Sequence, residues 1–358
     1  MPFNFDEGHI QDVLYGAGWF GKGCHFIVDG QYGSTGKGAL AAVIARAGIK
    51  DIDVYATNAG PNSGHTARLD RNRAIMTQQL PVGACVARAL DSSSFPTVYL
   101  TAGAVVDCVK LRDEAEHYKL VPFVHPCAAL IMMKHRDAEQ NNGASKIAGT
   151  AKGVGAALAD KCNREGNTWG DMQAPRAHSG AIDLTNKCVL HESAQGFSLG
   201  VNDYRFAPHT TSRECTVQQA VSDARIPLSA VRKVAMSLRT FPIRVGSTSK
   251  GYSGDCYPDQ HETSWDELKV EPEKTTVTQR IRRVFTWSDQ QFIDAVRCNE
   301  PDTLFLSFLD YLPAEGVEPF VRHVRDLHRA MLPCKKDELV ILGAFGPFIG
   351  DAGVWHDV

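Results

Sequence analysis

The sequence predicts an α/β fold with a mostly parallel central sheet, covered by helices on both faces and carrying long functional loops. Two patterns lead there. Short apolar strands recur along the chain with helical patterns between them, and a glycine-rich loop joins the first strand to the first helix. Strands are expected at 24–28, 52–56, 97–100, 188–190, 303–306 and 338–342. Helical patterns fill Lys37–Ala47, closed by Gly48, and 288–297. In the second, Ser288 and Gln291 are spaced as a capping box ahead of Phe292, Ile293 and Val296. Residues 1–23 read as an irregular extension, and 24–358 as a single domain. The stretch 244–280, rich in Gly, Ser, Asp and Thr, reads as loops within that domain rather than a linker.

Composition narrows the function. A chain of 358 residues with 43% apolar and 22% charged residues can bury a sizeable core. A net charge of −3 provides no field to gather nucleic acid or an anionic membrane, so neither is expected as a partner. No apolar run approaches membrane-spanning length. The acidic start of the chain lacks the basic and apolar regions of a signal peptide. Of the ten cysteines the nearest pair is Cys108 and Cys127, too far apart for a zinc or CxxC motif. Scattered thiols of this kind suit a reducing, cytoplasmic setting.

The strongest local signal is Asp29-Gly30-Gln31-Tyr32-Gly33-Ser34-Thr35-Gly36-Lys37-Gly38, running strand, loop, helix. Glycines let backbone amides approach phosphate oxygens, the amides opening the helix add partial positive charge, and Lys37 adds a full one. It is not a Walker A loop: the glycine spacing is one residue too long, and Gly38 stands where Ser or Thr should hold magnesium. The run from Gly16 to Lys22 fits that spacing better, but it precedes the strand and is a decoy. After the next strand comes Asn62-Ser63-Gly64-His65-Thr66, which could bring His65 to the same phosphates. A metalloprotease reading of His191-Glu192 fails because Gln195 falls where the second histidine is needed.

Taken together these segments resemble the adenylosuccinate synthetase family. Further elements follow in family order: Ile147-Ala-Gly-Thr150, Asp160-Lys161 ahead of Arg164, Glu192-Ser-Ala-Gln195-Gly196, Thr210-Thr-Ser212, Arg244-Val245-Gly246, Thr275 to Arg283, and Leu309-Asp310. The resemblance implies an adenylosuccinate-synthetase-like domain that phosphorylates a purine 6-oxygen with an NTP and then displaces phosphate with L-aspartate. It implies catalytic roles for Ser34, His65 and Gln195. The nucleoside triphosphate would be bound by Ser34, Thr35, Gly36, Lys37, Gly38, Gly64, His65, Thr66, Gln195, Asp310 and Gly346. The purine monophosphate would meet Ser34, Asn62, Thr150, Gln195, Thr210 and Val245, with Arg164 lent by the neighbouring subunit of a homodimer. Aspartate would be held by Thr276, Val277, Thr278, Arg280 and Arg282, and Mg2+ by Ser34 and Gly64.

Departures from the family pattern sharpen this. Ser34 stands where the family carries an aspartate that removes the N1 proton and binds magnesium; a hydroxyl cannot act as that base near neutral pH. The shorter side chain leaves room for a 2-amino group beside N1, which points to dGMP or GMP in place of IMP. In this the chain resembles a phage branch of the family that acts on dGMP, and a host-cytoplasmic location follows if it is phage-encoded. Phe308 occupies the lysine's place in the family's guanine-reading Lys-x-Asp, which favours ATP or dATP as donor. Ala151 and Lys152 replace the usual Thr and Arg near Thr150. The alternatives are an ordinary IMP-specific enzyme and an inactive nucleotide-binding homologue.

Overall fold

The structure is a computed structural model that describes residues 5–6, 8–141, 147–171, 177–249, 251–275, 279–335 and 338–356. Its framework is an eleven-stranded sheet. From one edge the order is Phe5–Asp6, Ala352–Trp355, Val340–Ala344, Thr303–Ser307, Val231–Arg239, Gly23–Asp29, Cys188–Glu192, Val54–Thr57, Thr97–Leu100, Phe123–Val124 and His178–Ser179. The ladders from Val340–Ala344 to His178–Ser179 are parallel; Ala352–Trp355 alone runs the opposite way, pairing antiparallel with Val340–Ala344 and with Phe5–Asp6.

A parallel sheet buried on both faces calls for strands that are apolar throughout, and every residue of Gly23–Asp29 and Cys188–Glu192 is buried. Alternate side chains serve opposite layers. Ile27 packs with the helices Lys37–Ala47 and Val82–Leu90, whereas Phe26 and Val28 face Val217–Ala224, Asp289–Asn299 and Ala314–Met331. Because the central strands are parallel, their carboxyl ends share one edge. Residues 30–36, 58–64, 193–196, 240–246 and 308 therefore emerge together, where open α/β sheets place their ligands. The decoy run from Gly16 to Lys22 lies at the other end of its strand.

Several expectations shift. Regular structure begins before residue 24: Phe5–Asp6 pairs with Ala352–Trp355, and Ile10–Gly16 is a helix that buries Leu14 against the core. The long central strand Val231–Arg239 escaped the sequence reading because Arg232 and Lys233 break its apolar run at the start. The capping box at Ser288 is half made: Ser288 Oγ accepts from Gln291 N, but the Gln291 carboxamide donates to Ser198 Oγ at 2.9 Å. No described helix is long and apolar enough to cross a membrane.

Candidate active site

The loop after Gly23–Asp29 is folded around a carboxylate. Asp29 Oδ1 accepts from Gln31 N at 2.8 Å and Gly33 N at 3.2 Å, while Oδ2 accepts from Thr35 Oγ1 at 2.6 Å and Lys37 Nζ at 2.8 Å. The Asp29 side chain is wholly buried. Left-handed backbone at Gly33, Ser34 and Gly36 turns the loop so tightly that Ser34 is exposed at its tip. Lys37, opening the helix, also donates to the carbonyl of Gln195 at 2.8 Å. Its ammonium is thus tethered at rest by Asp29 and Gln195, a restraint that the sequence reading did not foresee.

Two glycines let neighbouring segments close on this loop. A Cβ on Gly38 would sit 2.5 Å from the Thr66 carbonyl, and one on Gly196 would sit 2.1 Å from Gly33 N. The first contact seats the hairpin of His65–Arg68 and Ala74–Thr77 against the helix, bringing His65 beside Lys37. Burial, with the Lys37 charge as a second cause, pushes the His65 imidazole down to about 3, so it is neutral in the free protein. The second contact seats Gln195, itself left-handed at φ 66°, with its Nε2 buried and lacking a hydrogen-bond partner among the described residues. A buried amide donor without a partner in a cleft is costly unless a ligand completes it.

These segments surround a cavity of about 700 Å³. Of the residues expected to bind the triphosphate, Ser34, Thr35, Gly36, Lys37, Gly38, Gly64, His65, Thr66 and Gln195 line it. Of those expected at the monophosphate, Asn62, Thr150, Thr210 and Val245 do too, and at the aspartate end Arg282. Others lie elsewhere. Asp310 is exposed just beyond Phe308, and Gly346 packs on the Asp351 carboxylate; neither lines the cavity. Arg164 is exposed at the end of the helix Val154–Asn163, outside the cavity of its own chain. Arg280 also lies off the cavity lining, donating to the carbonyls of Gly246 at 3.0 Å and Ala148 at 2.9 Å, which ties loops together. Thr276, Val277 and Thr278 fall outside the described residues.

In and around the cavity, side chains make contacts that spacing did not announce. Glu139 accepts from Gly153 N and Gly155 N, both at 2.6 Å, and so occupies the start of the helix Val154–Asn163 itself. Buried Arg244 donates to the carbonyls of Ser253, Asp255 and His209, fixing the loop that carries Thr210. Arg239 pairs with Glu273 beneath Phe308. Each is a long-range contact, invisible to a local pattern. Glu192 serves the scaffold: it accepts from Val82 N and Gly83 N, and burial pushes its carboxyl up to about 7.

The profile of the adenylosuccinate synthetase family matches residues 26–185 and 176–318. N6-succino-2-amino-2′-deoxyadenylate synthase of Vibrio phage phiVC8 is 33% identical over 358 residues, covering 94% of this chain and 99% of that protein. The chain belongs to the adenylosuccinate synthetase family. It is therefore a ligase by kinship. The corresponding synthase of Salmonella phage PMBT28 is 34% identical, covering 92% of this chain and 97% of that protein. Among solved structures, Cyanophage S-2L succinoaminodeoxyadenylate synthetase bound to dGMP and dATP superposes with a TM-score of 0.80 at 30% identity, over 94% of this chain and 96% of that one. Fully ligated adenylosuccinate synthetase from Plasmodium falciparum shares the fold, with a TM-score of 0.72 at 17% identity over 94% of this chain and all of that one.

Within this synthetase fold, the buried Asp29–Lys37 pair gives a direct prediction. Asp29→Asn removes the charge that Lys37, Thr35 and two loop amides share, leaving a buried ammonium poorly compensated. Chemical unfolding is expected to show a loss of about 3 kcal/mol. A change below about 0.5 kcal/mol would mean that the pair does not hold the loop.

Proposed function

We propose that the chain joins L-aspartate to C6 of dGMP at the expense of ATP or dATP, giving 2-amino-2′-deoxy-N6-succinyladenylate, ADP or dADP, and phosphate. The observation that carries this reading is Ser34. It stands at the exposed tip of the phosphate loop, on the wall of the cavity that also holds His65 and Gln195, and its short side chain leaves the space that a 2-amino group needs. Its hydroxyl also offers that amine a hydrogen-bond acceptor, which a hypoxanthine base would leave unused.

In the first step the purine 6-oxygen attacks the γ-phosphorus, the N1 proton departs, and ADP or dADP leaves. In the second the aspartate amine forms a bond to C6, the C6–O bond breaks, and phosphate carries the electron pair away while the new nitrogen sheds a proton. Charge develops at O6 and on the transferring oxygens, where preorganised donors matter most. His65 and the Gln195 amide would face O6 and the base. Lys37 and the loop amides not used by Asp29 would hold the donor phosphates. Asn62, Thr150 and Thr210 would take the monophosphate, beside Val245 at the sugar, with Arg164 entering from a second subunit of a homodimer. Arg282 would clamp aspartate carboxylate, in a loop that Arg280 and residues 276–278 complete.

Among the described residues no cluster of His, Cys, Asp and Glu forms a metal cage. The Ser34 hydroxyl and Gly64 carbonyl on the cavity wall are modest ligands for a hard cation. They fit Mg2+ held chiefly by substrate phosphate and carboxylate oxygens. When bound, the ion would supply charge neutralisation at the triphosphate.

The test is a side-by-side comparison of dGMP, GMP and IMP with aspartate and either donor, read by phosphate release and by mass spectrometry. A succinylated 2-aminopurine deoxynucleotide is expected. Turnover confined to IMP would make this an ordinary adenylosuccinate synthetase. Nucleotide binding without aspartate-dependent turnover would make it a non-catalytic homologue.

A further inference from the structure

Arg239 ends the long central strand Val231–Arg239, and its side chain is completely buried. One fork of its guanidinium meets the Glu273 carboxylate, with Nη1 to Oε2 at 3.2 Å and Nη2 on Oε1. Nη1 also donates to the carbonyl of Ser34 at 3.3 Å, at the strained tip of the phosphate loop. Its Cζ lies 3.9 Å from the centre of the Phe308 ring, and Tyr311 Oη donates to Glu273 Oε1 at 3.1 Å. Glu273 in turn receives the backbone N–H of Arg282 on its carbonyl at 2.9 Å. The strand end is pinned as well: Arg239 N donates to Gln31 Oε1 at 3.0 Å, and Gln31 Nε2 donates back to the Arg239 carbonyl at 3.1 Å.

A single buried cation thus touches the phosphate loop, the segment that carries Arg282, and the turn that carries Phe308. Charge follows the same geometry. Burial alone would raise the Glu273 carboxyl, but the Arg239 guanidinium, with Arg282 and Tyr311 adding, holds it below the usual carboxylate range. Arg282 is pushed down to about 10 by burial, with Glu273 opposing and Arg239 reinforcing. A planar fork can hold a carboxylate, a carbonyl and a ring face at once; a lysine ammonium cannot.

We propose that Arg239 is a positioning residue that couples the donor-phosphate loop to the aspartate loop, setting Ser34 and Arg282 in register through Glu273. The proposal rests on the assignment of those loops to donor and aspartate given above. A ligase with three substrates must align them within fractions of an ångström before the phosphoryl group moves, and a shared rigid anchor does this without touching any of them.

Arg239→Lys is expected to raise KM for aspartate and for the donor by about tenfold each, the loss of one charge-assisted fork. Glu273→Gln, which keeps the Phe308 stack and the Ser34 contact, should raise KM for aspartate alone. If Arg239→Lys does not fold, Glu273→Gln decides the matter. Aspartate and donor KM values within about twofold of wild type in the folded variants would overturn the coupling, as would a uniform fall in kcat with all KM values unchanged. The unaltered protein is assayed in parallel. Its failure to consume aspartate with dGMP would count against the proposed reaction and not against the anchor.

Discussion

Replacing His65 by alanine is expected to slow turnover by about 10²-fold or more while leaving dGMP affinity within about threefold. The imidazole sits at the mouth of the hairpin pressed onto Gly38, beside Lys37, in the cavity shared by Ser34 and Gln195. A neutral ring here can donate to a developing oxyanion without first being desolvated. Its proton affinity should also respond to the donor. The free imidazole is held down at about 3 by burial and by Lys37, and a bound triphosphate supplies the opposite charge. The bound-state pKa is then higher than the free-state one, so donor binding takes up protons and tightens as pH falls. Calorimetry in buffers of different ionisation enthalpy, compared with His65→Ala, isolates that uptake. Full activity in His65→Ala would remove the residue from the chemistry; identical proton uptake in both proteins would mean that the ring stays neutral when the donor binds.

The parts of the site written in the sequence are those fixed by local backbone demands. Gly36-Lys37-Gly38 announces itself because only glycine allows the turn and the close approach of Thr66, and Lys37–Ala47 follows as the helix that the apolar pattern requires. Strand 97–100 was legible to the residue because both its faces are apolar. What escaped depends on distant partners. Nothing local marks Glu273 as the counter-charge of Arg239, 34 residues away, or Glu139 as the acceptor for Gly153 and Gly155. The end of the strand Val231–Arg239 hides for the same reason: Arg239 reads as solvent-exposed until it finds Glu273 and Phe308. Asp29 was visible as a residue but not as a role, since a carboxylate in a phosphate loop reads as repulsive until it is seen gathering Lys37 and the loop amides inward. Arg280 carries contacts that its place beside Arg282 does not announce: its guanidinium holds backbone carbonyls of two other loops.

The sharpest single change is Ser34→Asp. The Ser34 backbone is left-handed and its carbonyl is held by Arg239, so the side chain projects from a fixed point and a larger one cannot retreat by a backbone shift. Aspartate also tolerates left-handed geometry better than most residues, so the loop should keep its shape and the effect should fall on the substrate. For a guanine base the added carboxylate would crowd the 2-amino edge, displacing the ring from His65 and Gln195; for hypoxanthine that edge carries only hydrogen. The new group would also be a base of the right strength for the N1 proton. The base can serve only a ring that still reaches it, which the crowded guanine does not. The ratio of kcat/KM for dGMP over IMP should therefore fall by about 10²-fold or more, the scale on which pockets reject a misfitting polar group. Steady-state kinetics with both nucleotides at saturating aspartate and donor measures the ratio directly. An unchanged ratio in a variant of normal stability would mean that the base lies away from residue 34, and that selection of the 2-amino group is made by another wall of the cavity.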